Sequence, residues 1–436
     1  MIPHLDSGFE SEAFFRIRQL PQIPPRSRVP LYGSGRRACE ADLHDYLEPS
    51  EEVATSLPDA SLLLESPDGR SLCGLFKRRF SIPDEVRRRN LLIVGQIGSG
   101  KTEQFILPLA ISDLRDAQSS VIVVDFKGDL HHKLQPFMKA HRPGQKIDVL
   151  NFTNRQRTTR AWNPYSLNTT VQSALDDAQC FCEASQVRMT NHESLFWDGS
   201  AARWVAALIL RLRERHGGVC PADVQAALEL KRQELTNLLT QDASIAFASG
   251  VASFLDSGAH NAETVLAFAQ MYYRIFRDDD LAAVTSCDEL QFTSLFRKPS
   301  VLIVEVSQRD VQRIRPVLNL FFAQLFREAA RYAENQPRCR LPVPLNIHLD
   351  DFAAAMGRIP EIGQHLNLAR SRDVRVTAAI QSLSQIEHFY GTEAESVIGG
   401  FSSYVFKSPV TLRDAEWASQ HSGTCTVETF DETQEL

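Results

Sequence analysis

With 436 residues, 43% of them hydrophobic and 23% charged, the chain has room for two or three domains or for one large core with an insertion. A formal net charge of −7 excludes a global basic field for nucleic acid or anionic membrane and leaves such contacts to short runs such as Lys77-Arg78-Arg79 and Arg87-Arg88-Arg89. Eight scattered cysteines, with no CxxC pair and no His/Cys set at zinc spacing, exclude a structural zinc site and predict a reducing cytoplasm.

Residues 1–60 read as an N-terminal arm and linker, with five prolines in the first 30 positions and little periodicity. No leader of basic and then apolar residues opens the chain. No uncharged apolar stretch approaches the ~20 residues that span a bilayer, so a cytoplasmic chain without a transmembrane segment is expected. Apolar, β-branched runs then recur at 91–94, 121–124, 147–151, 301–306 and 374–380. Runs without polar alternation suit strands buried on both faces, hence an α/β fold with a mostly parallel sheet between helices.

Directly after the first of these runs comes Gly95-Gln96-Ile97-Gly98-Ser99-Gly100-Lys101-Thr102, followed by helix-compatible residues from Glu103 to Ala110. The pattern is G-x-x-x-x-G-K-[ST] on the end of a strand. Gly95, Gly98 and Gly100 let backbone N–H groups, with that of Ser99 among them, turn inward around phosphate oxygens at the N-terminus of the next helix. Lys101 can reach the β- and γ-phosphates, and the Thr102 hydroxyl can ligate Mg²⁺. A turn that merely joins strand to helix would not need this spacing, so a nucleoside triphosphate is the expected ligand.

The core is expected to be split, its first part over 61–165 and its second over 295–436. Between them, residues 166–294 read as an all-α insertion. Phe196, Trp197, Ala201, Trp204, Val205, Leu208, Ile209 and Leu212 keep helical spacing, and more helix is expected around 222–240 and 262–276. The tryptophans are expected in the core rather than on a base-stacking surface. In the second core part, Ile314, Val317, Leu318, Phe321, Phe322, Leu325 and Ala329 form the apolar stripe of a helix that packs on the sheet.

A phosphate cradle alone does not hydrolyse. The run Leu345-Asn346-Ile347-His348-Leu349 ends in Asp350 and Asp351, and strand C-termini in such sheets face the ligand crevice. Asp350 is the candidate Mg²⁺-side carboxylate and Asp351 the candidate base, against the plainer reading of an exposed acidic turn. Gln381, at the end of the 374–380 run, is a candidate γ-phosphate sensor, and Arg370 offers a guanidinium that a neighbouring subunit's site could use. No NKxD run selects guanine and no LSGGQ-like segment marks a transporter subunit, which points to ATP with Mg²⁺.

Further segments carry a family resemblance. Asp125-Phe126-Lys127-Gly128-Asp129, Arg160-Ala161-Trp162-Asn163-Pro164, Phe196-Trp197-Asp198, Leu349-Asp350-Asp351-Phe352, Gly357-Arg358-Ile359-Pro360 and Gln381-Ser382-Leu383-Ser384-Gln385 occur in that order. Together with Tyr32-Gly33-Ser34 and Ala38, they resemble the motifs of type IV secretion coupling proteins, the conjugative DNA-transfer ATPases. The resemblance runs from about residue 31 to 425. It implies a RecA-like core of the FtsK/HerA class, an inserted all-α domain and a homo-hexameric ring at the base of a secretion channel. DNA or a relaxase–DNA complex and the channel components would be its partners, with any attachment to the inner membrane made through them.

Position by position, the resemblance makes Arg370 similar to that class's arginine finger and Gln381 to its sensor. Asp125 and Lys127 have two readings, a structural turn or a phosphate-proximal role. The family's transmembrane helices have no counterpart, and Phe126 and Asp351 stand where Pro and Glu are usual. Asp is one methylene shorter than Glu, which sets the carboxylate about 1 Å further from the attacking water; a misplacement of that size can cost on the order of 100-fold. Two alternatives to a motor therefore stay open: a soluble nucleotide-gated cargo adaptor with little turnover, and a cytosolic FtsK/HerA-type DNA translocase. The helical insertion speaks against the second.

Overall fold

The computed structural model describes residues 90–185, 192–241, 246–256 and 260–422, and two-residue strands at 56–57, 64–65, 71–72 and 80–81 that pair antiparallel as 56–57 with 80–81 and 64–65 with 71–72. Apart from residues 56–57 the expected N-terminal arm, with the Tyr32-Gly33-Ser34 motif and Ala38, lies outside the described residues, as do the side chains of Phe196, Trp197 and Asp198.

Seven strands form one sheet: β1 (Leu91–Val94), β2 (Ser120–Asp125), β3 (Ile147–Asn151), β4 (Val301–Glu305), β5 (Leu345–Leu349), β6 (Val374–Ile380) and β7 (Ser403–Phe406). Their order is β7-β1-β6-β5-β2-β4-β3, and every pairing is parallel. The all-parallel sheet explains the sequence pattern. Within β2, Val121 and Val123 face one helical layer with Ala110, Leu114, Leu130 and Leu134, while Ile122 and Val124 join the larger core on the opposite face. Both faces are apolar, so no alternation survives in the sequence.

Sixteen helices accompany the sheet among the described residues. The layer on one face includes α1 (Leu107–Arg115) and α2 (Leu130–His141). Eight then follow before the next strand among the described residues, the first seven being α3 (Val171–Ala184), α4 (His192–His216), α5 (Pro221–Leu228), α6 (Arg232–Thr240), α7 (Ala246–Asp256), α8 (His260–Tyr273) and α9 (Asp279–Val284). Trp204 is 2% exposed in their core, in keeping with a packing role. Then come α10 (Phe292–Arg297), α11 (Val311–Glu334), α12 (Phe352–Met356), α13 (Ile362–Ala369), α14 (Leu383–Tyr390), α15 (Ala394–Gly399) and α16 (Leu412–His421).

The stripe expected on α11 is buried at every position from Ile314 to Ala329. It packs against α3, and Phe321 meets Phe152, Trp162 and Phe292. The joint is also polar. Gln324 Nε2 donates to the buried Asp177 carboxylate at 2.5 Å, and Arg327 closes on its other oxygen. Two details differ from expectation. The 301–306 run ends as strand at Glu305, and β7 was not foreseen, because it is a short edge strand whose residues are all half-buried.

Candidate nucleotide-binding site

All seven strands point their C-terminal ends to one edge, and β1 delivers Gly95 there. Its N–H donates to Ile380 O of β6 at 3.1 Å. A Cβ on Gly95 would sit 2.6 Å from Lys407 O and 2.8 Å from Ser99 Oγ, so only glycine fits. Gly98 (φ +79°) and Gly100 (φ +85°) take left-handed backbone that side chains resist. The chain then enters helix through one widened turn: Leu107 N–H donates to Thr102 O, five residues back, before α1 tightens.

Lys101 is 8% exposed, and its Nζ donates to Gly95 O at 2.6 Å and Gln96 O at 3.2 Å. It lies over the loop whose spacing the sequence assigns to phosphates. Burial pushes its pKa down, against the attraction of Asp351 and Asp350. Ser99 Oγ is buried with no hydrogen-bond partner among the described residues, a spare polar group inside the cradle. Thr102 Oγ1 donates to Asp350 Oδ2 at 2.7 Å. This contact joins residues 248 positions apart and puts a hydroxyl and a carboxylate side by side. Two hard oxygen donors beside a phosphate cradle fit Mg²⁺, which takes few protein ligands and shares its shell with phosphate and water.

Burial raises the Asp350 pKa, with the neighbouring Asp351 charge adding to it; the Thr102 hydrogen bond and Lys101 pull the other way. Asp351 has φ +45°, uncommon for a residue with a Cβ, and its N–H donates to Asp350 Oδ1 at 3.1 Å. The two carboxylates thus occupy one sharp corner between β5 and α12. Gln381 is half-buried at the end of β6, one residue after the carbonyl that anchors Gly95, and its own N–H is held by Gln385 Oε1 at 3.0 Å.

Asp125 resolves in favour of the turn. Its carboxylate accepts from the N–H groups of Lys127 (2.9 Å), Gly128 (2.8 Å) and Leu130 (2.8 Å), which organises the start of α2 and occupies both oxygens. Phe126, in place of proline, is 8% exposed and packs in the main core. Lys133 ties this turn to the helix after the phosphate loop, bridging Asp129 at 2.7 Å and Glu103 at 2.6 Å.

Arg370 is not at this edge. It is exposed on a short turn before β6, at the strand's N-terminal end. Sequence reasoning also missed the segment after β7. Lys407 N–H donates to Val94 O at 2.7 Å and Gln96 N–H to Pro409 O at 2.9 Å, so this stretch lies directly on the phosphate loop. No motif marks it; only the close approach at Gly95 hints that something presses there.

Residues 71–435 match the model of the family described as Type IV secretory system Conjugative DNA transfer. The chain belongs to that family. Membership assigns it to conjugative DNA transfer through a type IV secretion system. Among solved structures it is similar to the plasmid coupling protein TrwB in complex with the non-hydrolysable ATP analogue ADPNP, at 19% identity and a TM-score of 0.66, over 93% of this chain and 86% of that one. The complex of TrwB with ADP and Mg²⁺ gives 19% identity and 0.56 over 92% and 85%. An unbound form of the bacterial conjugative coupling protein TrwBdeltaN70 gives 19% and 0.61 over 87% and 77%. At such identities these likenesses establish the shared fold. A comparison with curated proteins finds no match. For this coupling-protein fold, Lys101, Thr102, Asp350, Asp351 and Gln381 gather at one edge of the sheet and Arg370 stands at the other.

Proposed function

We propose that the chain is an ATP-hydrolysing coupling motor that recruits DNA or a relaxase–DNA complex and drives it towards the secretion channel. The observation that carries this reading is the Thr102–Asp350 contact, which brings the hydroxyl of the phosphate loop onto the strand-end carboxylate at 2.7 Å. Backbone N–H groups of 95–102 and Lys101 would hold the triphosphate, with Lys101 exchanging two loop carbonyls for phosphate oxygens. Thr102 and Asp350 would hold Mg²⁺, which when bound supplies positive charge to the β- and γ-phosphates. Asp351 accepts a proton from the attacking water as its oxygen bonds to the γ-phosphorus and the bond to the bridging oxygen breaks, leaving ADP and phosphate. Gln381 senses the γ-phosphate. Arg370 of a neighbouring copy neutralises the charge that develops, within a homo-hexamer held at the cytoplasmic side of the inner membrane by channel proteins.

DNA contact in such a motor is sequence-independent and weakens with salt. The test is ATP turnover with and without DNA, in the native chain and in Lys101→Ala. DNA-stimulated turnover that falls to background in the variant is expected; turnover indifferent to both would falsify the motor. The short Asp351 side chain favours a second reading, a nucleotide-gated cargo adaptor with little hydrolysis. Native turnover at or near background with ATP affinity intact would select it.

A further inference from the structure

Asp414 is a carboxylate with no solvent exposure, set in the first turn of α16 far from any acidic motif of the sequence. Burying a charge is costly unless its oxygens are fully used. Here they are. Oδ1 accepts from Ser382 Oγ at 3.1 Å and from Leu383 N–H at 3.0 Å, and Oδ2 accepts from Thr411 Oγ1 at 2.7 Å. Capping does not require this arrangement, since Ser382 Oγ accepts from Ser384 N–H to cap α14 and Thr411 Oγ1 accepts from Asp414 N–H to cap α16. What the carboxylate adds is a bond between two elements, and it lands on the two residues that follow Gln381.

The consequence is a turn fixed at successive positions. Ile380 O accepts from Gly95, Gln381 N–H is held by Gln385, and Ser382 with Leu383 is held by Asp414. The segment that supplies Asp414 also braces the phosphate loop through Lys407 N–H to Val94 O and through Pro409 O, which accepts from Gln96 N–H. One stretch, 407–414, therefore touches both the loop and the corner that carries Gln381. We propose that Asp414 is a positioning residue: it acts through Ser382 and Leu383 to hold Gln381 in register with the phosphate loop, and so sets how strongly the site distinguishes a triphosphate from a diphosphate.

The inference rests on nucleotide binding at this loop and not on turnover. Its test is the ratio of dissociation constants for ADP and a non-hydrolysable ATP analogue, each with Mg²⁺, measured on the full chain by calorimetry. A hydrogen bond to a charged group lost at Gln381→Ala lowers this ratio about tenfold or more. Asp414→Ala is expected to lower it by a similar factor with ADP affinity nearly unchanged, and the Gln381→Ala/Asp414→Ala double variant to lower it no further, because both act through one group. Should Asp414→Ala fail to fold, Ser382→Ala and Asp414→Asn carry the same comparison with a smaller loss each. Ratios that survive Asp414 substitution, effects that multiply in the double variant, or a Gln381→Ala variant with an intact ratio would each overturn the proposal. A native chain that binds neither nucleotide sinks the nucleotide-site reading itself, before any variant is compared.

Discussion

At its C-terminal end β6 gives Ile380 O to the Gly95 N–H and turns through Gln381 into a corner where the N–H groups of Gln381 and Leu383 are held by side chains. At its N-terminal end the strand is preceded by two arginines with opposite fates. Arg372 is held by Glu334 and by Cys339 O, each at 3.1 Å, whereas Arg370 is exposed with no side-chain partner among the described residues. The seven residues of the strand separate the two ends by roughly 20 Å. One end is built to hold still and the other presents a cation outward. A parallel sheet gathers its ligand groups at one edge, so a residue at the opposite edge completes a site only on another copy of the chain.

That contrast is broken most directly by mixing. Arg370→Ala is expected to cut turnover on the order of 1,000-fold, the scale of a lost arginine finger, while ATP-analogue affinity stays near native. Lys101→Ala should be inactive for the opposite reason, in its own loop. Combining the two inactive chains should restore part of the native rate, since some interfaces then pair an intact Lys101 with an intact Arg370. Turnover that stays at background in every mixture, with both variants folded, would mean that the two ends of β6 do not meet across copies. Equal loss of nucleotide affinity in both variants would mean that Arg370 serves its own chain.

At the C-terminal edge the next effect is smaller and of opposite sign. Asp351 sits in a tight corner with φ +45°, and a glutamate there would extend the carboxylate by one methylene. Asp351→Glu is therefore expected to raise the turnover rate, by about 10- to 100-fold if the missing reach is what limits it. Steady-state rates at saturating ATP check this. A rate unchanged or lowered would show that the corner already places Asp351 correctly, and the adaptor reading would lose its motive.

Much of this architecture could be read from the chain because its signals are local or repetitive. The runs at β1 and β2 are apolar on both faces, and Lys101 with Thr102 lies in a motif whose spacing is itself the geometry. Asp350 was reachable because a strand end predicts an edge, although its bond to Thr102 spans 248 positions. Asp125 was not decidable: three N–H groups claim its carboxylate, and the same residues would serve either reading until the turn is seen. Strand β7 and Asp414 were illegible for another reason. A four-residue edge strand is too short a run to announce itself, and an aspartate in a first helical turn looks like any other cap.

The smallest effect concerns the helical side, away from both ends of β6. Asp177 on α3 is buried against Gln324 and Arg327 of α11, and burial lifts its pKa from the ordinary 3.8 to about 6, with Arg327 opposing. Between these values the folded chain keeps a proton that the unfolded chain has released. Stability therefore falls as pH rises through that window and levels off above about 6. In Asp177→Asn the dependence disappears, so the difference in Tm between native and variant should shift by about 3 °C across the window. ADP affinity, read in parallel, should not follow it. Were affinity to track the same titration, the α3–α11 joint would be coupled to the phosphate edge, and the two ends of β6 would no longer suffice to describe the site.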